Sequence, residues 1–283
     1  MITGKTKICG LIGDPVEHTV SPAMQNAAFL AAGLDFVYLP FMVKSEGLEQ
    51  ALEGMRGLNI AGLNVTIPHK VRIIPLLDEI DMLVENLGAV NTVVNEDGNL
   101  KGYNTDAAGF ISSMTAEEIN PQGKRIVVLG AGGAARAIAF ILTDKGADVT
   151  IINRHLKPAQ ELAGHLAGRF RREITSLELN PGNLKTALDG ADILVNTTAA
   201  GMSPNVEDTL VPARLLKKSL IVFDIIYNPL KTRLLKEAEK KGARVMSGLE
   251  MLVRQGAAAF ELWTGQKAPL EVMREAAIRE LTK

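Results

Sequence analysis

Arg125-Ile126-Val127-Val128-Leu129-Gly130-Ala131-Gly132-Gly133-Ala134-Ala135 is the stretch on which the fold turns. A dense apolar strand, Arg125–Leu129, runs straight into a small-residue loop, and a long helical pattern follows to Thr143. Glycine permits a tight turn and close backbone approach, and a helix N-terminus presents unpaired N–H groups to a pyrophosphate. The spacing fits the dinucleotide fingerprint, with Ala135 in its third small position. A second strand, Val149–Asn153, completes a βαβ unit. Glycine-rich turns also serve packing alone, but here the strand, helix and second strand all stand where a nucleotide site needs them.

The residues after that second strand, Asn153-Arg154-His155-Leu156-Lys157, include no acid to bond a ribose 2′-OH. Arg154 is therefore a candidate ligand for a 2′-phosphate, which favours NADP. The bland alternative makes Arg154 and Lys157 solvated charges. Cations at a helix N-terminus oppose its dipole, so an anionic partner accounts better for their placement.

Outward from this unit, short apolar runs alternate with helical ones, the pattern of an α/β protein. Toward the C-terminus come strands at Ile193–Thr197, Ile221–Asp224 and Arg244–Met246. Leu249, Leu252, Val253, Gly256, Phe260 and Trp263 then form one helical stripe, and a last helix runs from Pro269. Toward the N-terminus, strands are expected at Lys7–Ile12, Asp35–Phe41 and Ile60–Thr66. Ala89–Asn95 and Leu100–Asn104 flank a hairpin turn at Glu96–Asn99. Helices are expected from Ser21-Pro22, with Ser21 as N-cap, along the Leu48, Leu52, Met55 stripe, and over Ala107–Met114; Pro68 suits a further helix start. The polar stretch Thr115–Lys124 is the expected boundary.

Length and composition agree with two domains. The chain has 283 residues, 47% hydrophobic and 22% charged, against about 150 residues per domain. Lys plus Arg is 31 and Asp plus Glu is 32, so no basic excess exists to neutralise nucleic-acid phosphates. Cys9 is the single cysteine and reads as a small buried strand residue; no disulfide framework or cysteine zinc site is available. His18, His69, His155 and His165 lack metal-ligand spacing, so no metal is expected. No apolar run approaches the roughly 18–20 residues that span a bilayer. Residues 1–13 are too short and glycine-broken for a signal peptide. A soluble cytoplasmic protein without membrane or nucleic-acid partners is expected.

The first half carries polar motifs at strand ends. The loop Gly13–Pro22 holds Thr19 and Ser21, and Asn64-Val65-Thr66-Ile67-Pro68-His69-Lys70 places an amide, a hydroxyl and an amine together. Gly88-Ala89-Val90-Asn91-Thr92 and Asn104-Thr105-Asp106 follow. Hydroxyls, amides and one amine–carboxylate pair suit a small, polyhydroxylated, anionic ligand. Singly, each residue has a plainer explanation: Lys70 as a solvated charge, Asp106 as the N-cap of the next helix, Gln255 as exposed, Tyr227 as turn packing.

Taken in order, these motifs resemble the shikimate dehydrogenase family. The likeness continues through Asn196-Thr197-Thr198, Asp224-Ile225-Ile226-Tyr227-Asn228-Pro229 and Gly248–Gln255, covering nearly the whole chain. It implies reversible, NADPH-dependent reduction of 3-dehydroshikimate to shikimate on the route to chorismate and aromatic amino acids. It also implies a Rossmann-type nucleotide domain (115–248) and a discontinuous α/β substrate domain (1–114, with helices 249–283 packing back), the active site lying in the cleft between them. The chain would be a monomer or a homodimer. The resemblance makes Lys70 and Asp106 the catalytic pair and gives the substrate to Thr19, Ser21, Thr66, Asn91, Tyr227 and Gln255. Gly130, Ala131, Gly132, Gly133, Ala134, Asn153, Arg154, Ile225 and Gly248 would line the cofactor, with His155 and Lys157 beside its adenine ribose. Departures from the family pattern are Thr19 and Ala199 for serine, Ala107 for glycine, His155 for threonine and Pro158 for a basic residue. A quinate/shikimate dehydrogenase is the alternative within the class, and Ser21 keeps the residue associated with shikimate. A non-catalytic NADP-binding sensor is the alternative outside it; loss of Lys70 or Asp106 would favour the sensor, and both are present.

Overall fold

The computed structural model describes residues 2–283. The chain forms two compact units, one of residues up to Phe110 together with Val253–Lys283, the other of Ile111–Leu252.

In the first unit, β1 (Lys7–Gly13) leads through a polar loop to α1 (Ser21–Ala31), β2 (Phe36–Met42), α2 (Leu48–Gly57) and β3 (Gly62–Val65). Then come β4 (Glu79–Ile80), α3 (Met82–Leu87), the hairpin β5 (Thr92–Glu96) and β6 (Asn99–Tyr103), and α4 (Asp106–Ala116). The sheet order is β2-β1-β3-β5-β6-β4, with β1 parallel to β2 and β3, and β5 antiparallel to β3 and β6. Asp97 (φ 52°) and Gly98 (φ 94°) make the two-residue hairpin turn that both positive φ values allow. Leu52, Met55, Leu63, Val65, Val93 and Leu100 fill the core on one face. The edge strand β2 is protected: the Asn26 amide bonds both backbone groups of Tyr38, at 2.8 and 3.0 Å, and Pro40 offers no N–H.

Two expectations fail here. The N-cap of α1 is Val20, not Ser21, which is the first helical residue, and no side chain caps this end. No helix starts at Pro68. Turns run from Ile67 to a short 3-10 segment, Ile74–Leu76, where Pro75 removes a donor and disfavours helical geometry before it.

The second unit runs β7 (Arg125–Leu129), α5 (Gly133–Asp144), β8 (Asp148–Asn153), α6 (Leu156–Phe170), β9 (Thr175–Glu178), α7 (Pro181–Asp189) and β10 (Ile193–Asn196). It continues through β11 (Ile221–Asp224), α8 (Arg233–Lys240) and β12 (Arg244–Met246) into α9 (Leu249–Thr264). Its six strands are all parallel, in the order β9-β8-β7-β10-β11-β12. The order reverses between β7 and β10, the switch point beside which open α/β sheets take their ligands. Sequence reading missed β9, α7 and α8; β9 and α7 are short and mixed, whereas α8 buries Leu234, Leu235 and Ala238 on one face, a stripe the sequence carries.

From Val253 onward α9 belongs to the first unit, as does α10 (Leu270–Leu281), which packs on α1. Phe260 stacks on Phe29 at 5.3 Å, and the Trp263 indole N–H donates to the Val93 carbonyl at 3.1 Å. No helix among the described residues is long and apolar enough to cross a membrane.

Candidate active site

In the first unit, the loop after β1 and the loop after β3 are tied together at the strands' carboxyl ends. Asp14 N–H donates to the Ile67 carbonyl at 2.9 Å and Thr66 N–H to Ile12 at 3.0 Å. Gly13 makes this approach possible, since a Cβ there would lie 2.3 Å from the Thr66 methyl. Thr19 accepts the Ser21 N–H on its hydroxyl at 3.3 Å; Ser21 is buried, while Thr19 and Thr66 are partly exposed. Lys70 lies in the second loop, and its carbonyl accepts the Val90 N–H at 2.7 Å, which sets Lys70 beside the segment that carries Asn91 into β5.

The Lys70 ammonium donates to Asp106 Oδ2 at 2.5 Å, with side chains 14% and 7% exposed. Asp106 does not cap its helix: it is the first residue of α4, and Asn104 Oδ1 accepts the Ala107 N–H instead, at 3.2 Å. The carboxylate is left to Lys70 and to Asn91, whose amide donates to Oδ1 at 2.9 Å. Asn91 also reaches Gln255 Oε1 at 3.4 Å, so Gln255, half-buried on α9, joins the group. An ammonium held by a doubly anchored carboxylate among amides and hydroxyls can deliver a proton to an oxygen and take one back. Sequence reading missed Asn104 and Thr105 as supports. Their signal was present, an Asn-Thr pair directly ahead of a helix, but its partners lie elsewhere in the chain. Tyr227 belongs to the second unit, where it is half-buried.

In the second unit, the loop Gly130–Gly132 joins β7 to α5 at the switch point. Gly130 has φ 110°, and a Cβ on it would lie 2.5 Å from Thr197 Oγ1, which itself donates to the Leu129 carbonyl at 2.6 Å. Gly132 is the N-cap of α5 and makes no side-chain cap, so the free N–H groups of Gly133 and Ala134 face outward from the helix start. A Cβ at Gly132 would meet nothing within 4 Å, which leaves open space where a pyrophosphate needs it. Asn153 ends β8 and donates to the His155 carbonyl at 2.9 Å; Arg154, His155 and Lys157 are exposed just before and within the first turn of α6. Gly248 must be glycine because a Cβ would come within 1.9 Å of the Ile225 carbonyl, and this seats Gly248 against Ile225. The cradle, the helix dipole and the exposed cation fit a dinucleotide carrying a 2′-phosphate. No cluster of His, Cys, Asp and Glu able to hold a metal occurs among the described residues.

Comparison with known proteins agrees with both halves. Residues 11–93 match the shikimate dehydrogenase substrate binding domain, residues 113–229 the shikimate / quinate 5-dehydrogenase family, and residues 248–278 the shikimate 5′-dehydrogenase C-terminal domain. A shikimate dehydrogenase (NADP(+)) of Dehalococcoides mccartyi is 51% identical over 268 residues, covering 95% of this chain and 94% of its own. A crystal structure of a shikimate dehydrogenase in complex with NADP+ superposes with a TM-score of 0.94 at 45% identity, covering 100% and 98% of the two chains. That of the Thermus thermophilus enzyme, in complex with NADP(H) and shikimate, gives 0.87 at 37% identity, covering 97% and 100%. The chain belongs to the shikimate dehydrogenase (NADP+) family.

Proposed function

We propose that Lys70 and Asp106 are the proton-handling pair with which this chain carries out its family's reaction, the NADP-dependent interconversion of 3-dehydroshikimate and shikimate. The 2.5 Å contact between Nζ and Oδ2, buried and braced by Asn91, carries the reading. Bound NADPH supplies a hydride to the carbonyl carbon. Lys70 donates a proton to the oxygen as negative charge develops on it, giving the alcohol; in the oxidative direction its amine takes that proton back. Asp106 orients the ammonium, and the Asn91 amide keeps the carboxylate from rotating. Thr19, Ser21, Thr66, Asn91, Tyr227 and Gln255 offer hydroxyl, phenol and amide groups to the substrate's hydroxyls and carboxylate. Gly130, Ala131, Gly132, Gly133 and Ala134 receive the pyrophosphate. Asn153, Arg154, His155 and Lys157 take the adenine-ribose phosphate, while Ile225 and Gly248 border the cofactor. The lone buried thiol of Cys9 fits a cytoplasmic setting, where thiols stay reduced.

Lys70→Ala tests the assignment. We expect turnover, followed by the absorbance of reduced nicotinamide, to fall by roughly 10²–10⁴-fold while the protein stays folded and still binds NADP. Retention of more than about a tenth of the wild-type kcat removes Lys70 from the mechanism.

A further inference from the structure

We propose that Tyr38, Asn64 and Thr92 are positioning residues for the reaction, forming a one-way hydrogen-bond relay that ends on Asp106. The proposal rests on the reading of Lys70 and Asp106 above. The relay begins on the edge strand β2, where the Tyr38 hydroxyl donates to Asn64 Oδ1 at 2.7 Å. Asn64 Nδ2 donates to Thr92 Oγ1 at 3.1 Å, and Thr92 Oγ1 donates to Asn91 Oδ1 at 3.1 Å. Asn91 Nδ2 then donates to Asp106 Oδ1, at 2.9 Å. Every member is buried, with Tyr38 at 1%, Asn64 at 6%, Thr92 at 0%, Asn91 at 2% and Asp106 at 5% exposure.

Two backbone groups set the direction. The Thr105 N–H lies 2.7 Å from Asn91 Oδ1 and can only donate, so that atom of the amide must be the oxygen. The Asn91 carbonyl lies 3.3 Å from Asn64 Nδ2 and can only accept, so that atom must be the nitrogen. Asn64 therefore presents its oxygen to Tyr38, which has to donate. Thr92 accepts from Asn64, and its single proton goes to Asn91 Oδ1 at 3.1 Å in preference to the Thr105 hydroxyl, which lies farther away at 3.4 Å. Neither amide can flip without facing donor to donor or acceptor to acceptor inside the protein, at the full penalty of a buried unpaired group. Successive donors polarise one another in the same sense, toward the carboxylate that holds Lys70. The far end is anchored as well, because Asn26 holds the Tyr38 backbone through both its N–H and its carbonyl.

Substitutions at Thr92 separate the relay from simple packing. Thr92→Val keeps the volume and deletes the hydroxyl; Thr92→Ser keeps the hydroxyl and deletes a methyl group. We expect Thr92→Val to lower kcat by about 3- to 10-fold with KM for NADP unchanged, and Thr92→Ser to stay within about twofold of wild type. A packing role predicts the opposite ranking. Tyr38→Phe, which keeps the ring, should lower kcat in the same way and carries the test should Thr92→Val not fold. Wild-type kcat in Tyr38→Phe or in folded Thr92→Val, or a Thr92→Ser defect as large as that of Thr92→Val, overturns the relay. Lys70→Ala assayed alongside distinguishes the two claims. A dead Lys70→Ala beside a fully active Thr92→Val sinks the relay alone, whereas an active Lys70→Ala sinks the reading beneath it.

Discussion

Asp224 is fully buried at the end of β11, where Thr232 Oγ1 donates to it at 2.6 Å, Asn196 Nδ2 at 3.0 Å and the Ile226 N–H at 3.2 Å. Burial pushes its carboxyl up to about 6, and those hydrogen bonds only partly offset the rise. Against an unfolded value of about 3.9, the native state binds the extra proton between those two pH values. Stability from this group is therefore fully present below about pH 4 and is lost as pH rises to about 6, by about 3 kcal/mol at most. Asp224→Asn removes the titration; its amide oxygen can still accept from Asn196 and the Ile226 N–H, while the Thr232 hydroxyl must turn from donor to acceptor to meet its Nδ2. Wild type should lose stability relative to this variant as urea midpoints are followed from about pH 4 to about pH 6.5; a constant difference contradicts the argument. Arg154 is argued on charge as well. A charge-assisted contact to a 2′-phosphate is worth about 1.5–3 kcal/mol, so Arg154→Ala should cut the kcat/KM preference for NADP over NAD by about 10- to 150-fold. An unchanged preference would move the contact to Lys157 or His155.

Among the elements, β3 and α9 fit closely. A Cβ on Gly62 would lie 2.0 Å from the Trp263 indole nitrogen, the same group that bonds the Val93 carbonyl. Gly62→Ala should therefore cost about 1–3 kcal/mol, read as a lower urea midpoint; no change would show that the indole can yield. This contact was not legible in the sequence, where Gly62 is one small residue in an apolar strand and Trp263 one member of a helical stripe. The stripe showed that Trp263 faces a core, but nothing local names the strand it meets. Helix ends were legible only in part. Gly33 follows the C-cap of α1 with φ 67°, as glycine suits, whereas the serine ahead of Pro22 lies inside the helix and Asn104 performs the capping first ascribed to Asp106. Hydroxyl, carboxylate and amide side chains all cap helices, so residue type alone cannot choose among neighbours.

At the scale of the molecule, the βαβ unit around Gly130 was legible because strand, loop, helix and second strand are contiguous. The contacts within the proposed catalytic group were not, because Lys70 and Asp106 are 36 residues apart and Gln255 lies 164 from Asn91. They meet through sheet pairing: β5 lies between β3 and β6, which sets Asn91 beside both the Lys70 loop and the Thr105–Asp106 turn. Motif order supplied the residues, and only the fold supplies their contact. That contact makes Lys70 and Asp106 one device, and a cycle of Lys70→Ala, Asp106→Ala and the double variant tests this most directly. Residues that act as a unit are strongly non-additive. Each single variant is expected to lose roughly 10²–10⁴-fold in kcat for shikimate oxidation, with the double variant no slower than the worse single one. A double variant whose loss is the product of the two single losses would contradict the account, since the two side chains would then contribute independently.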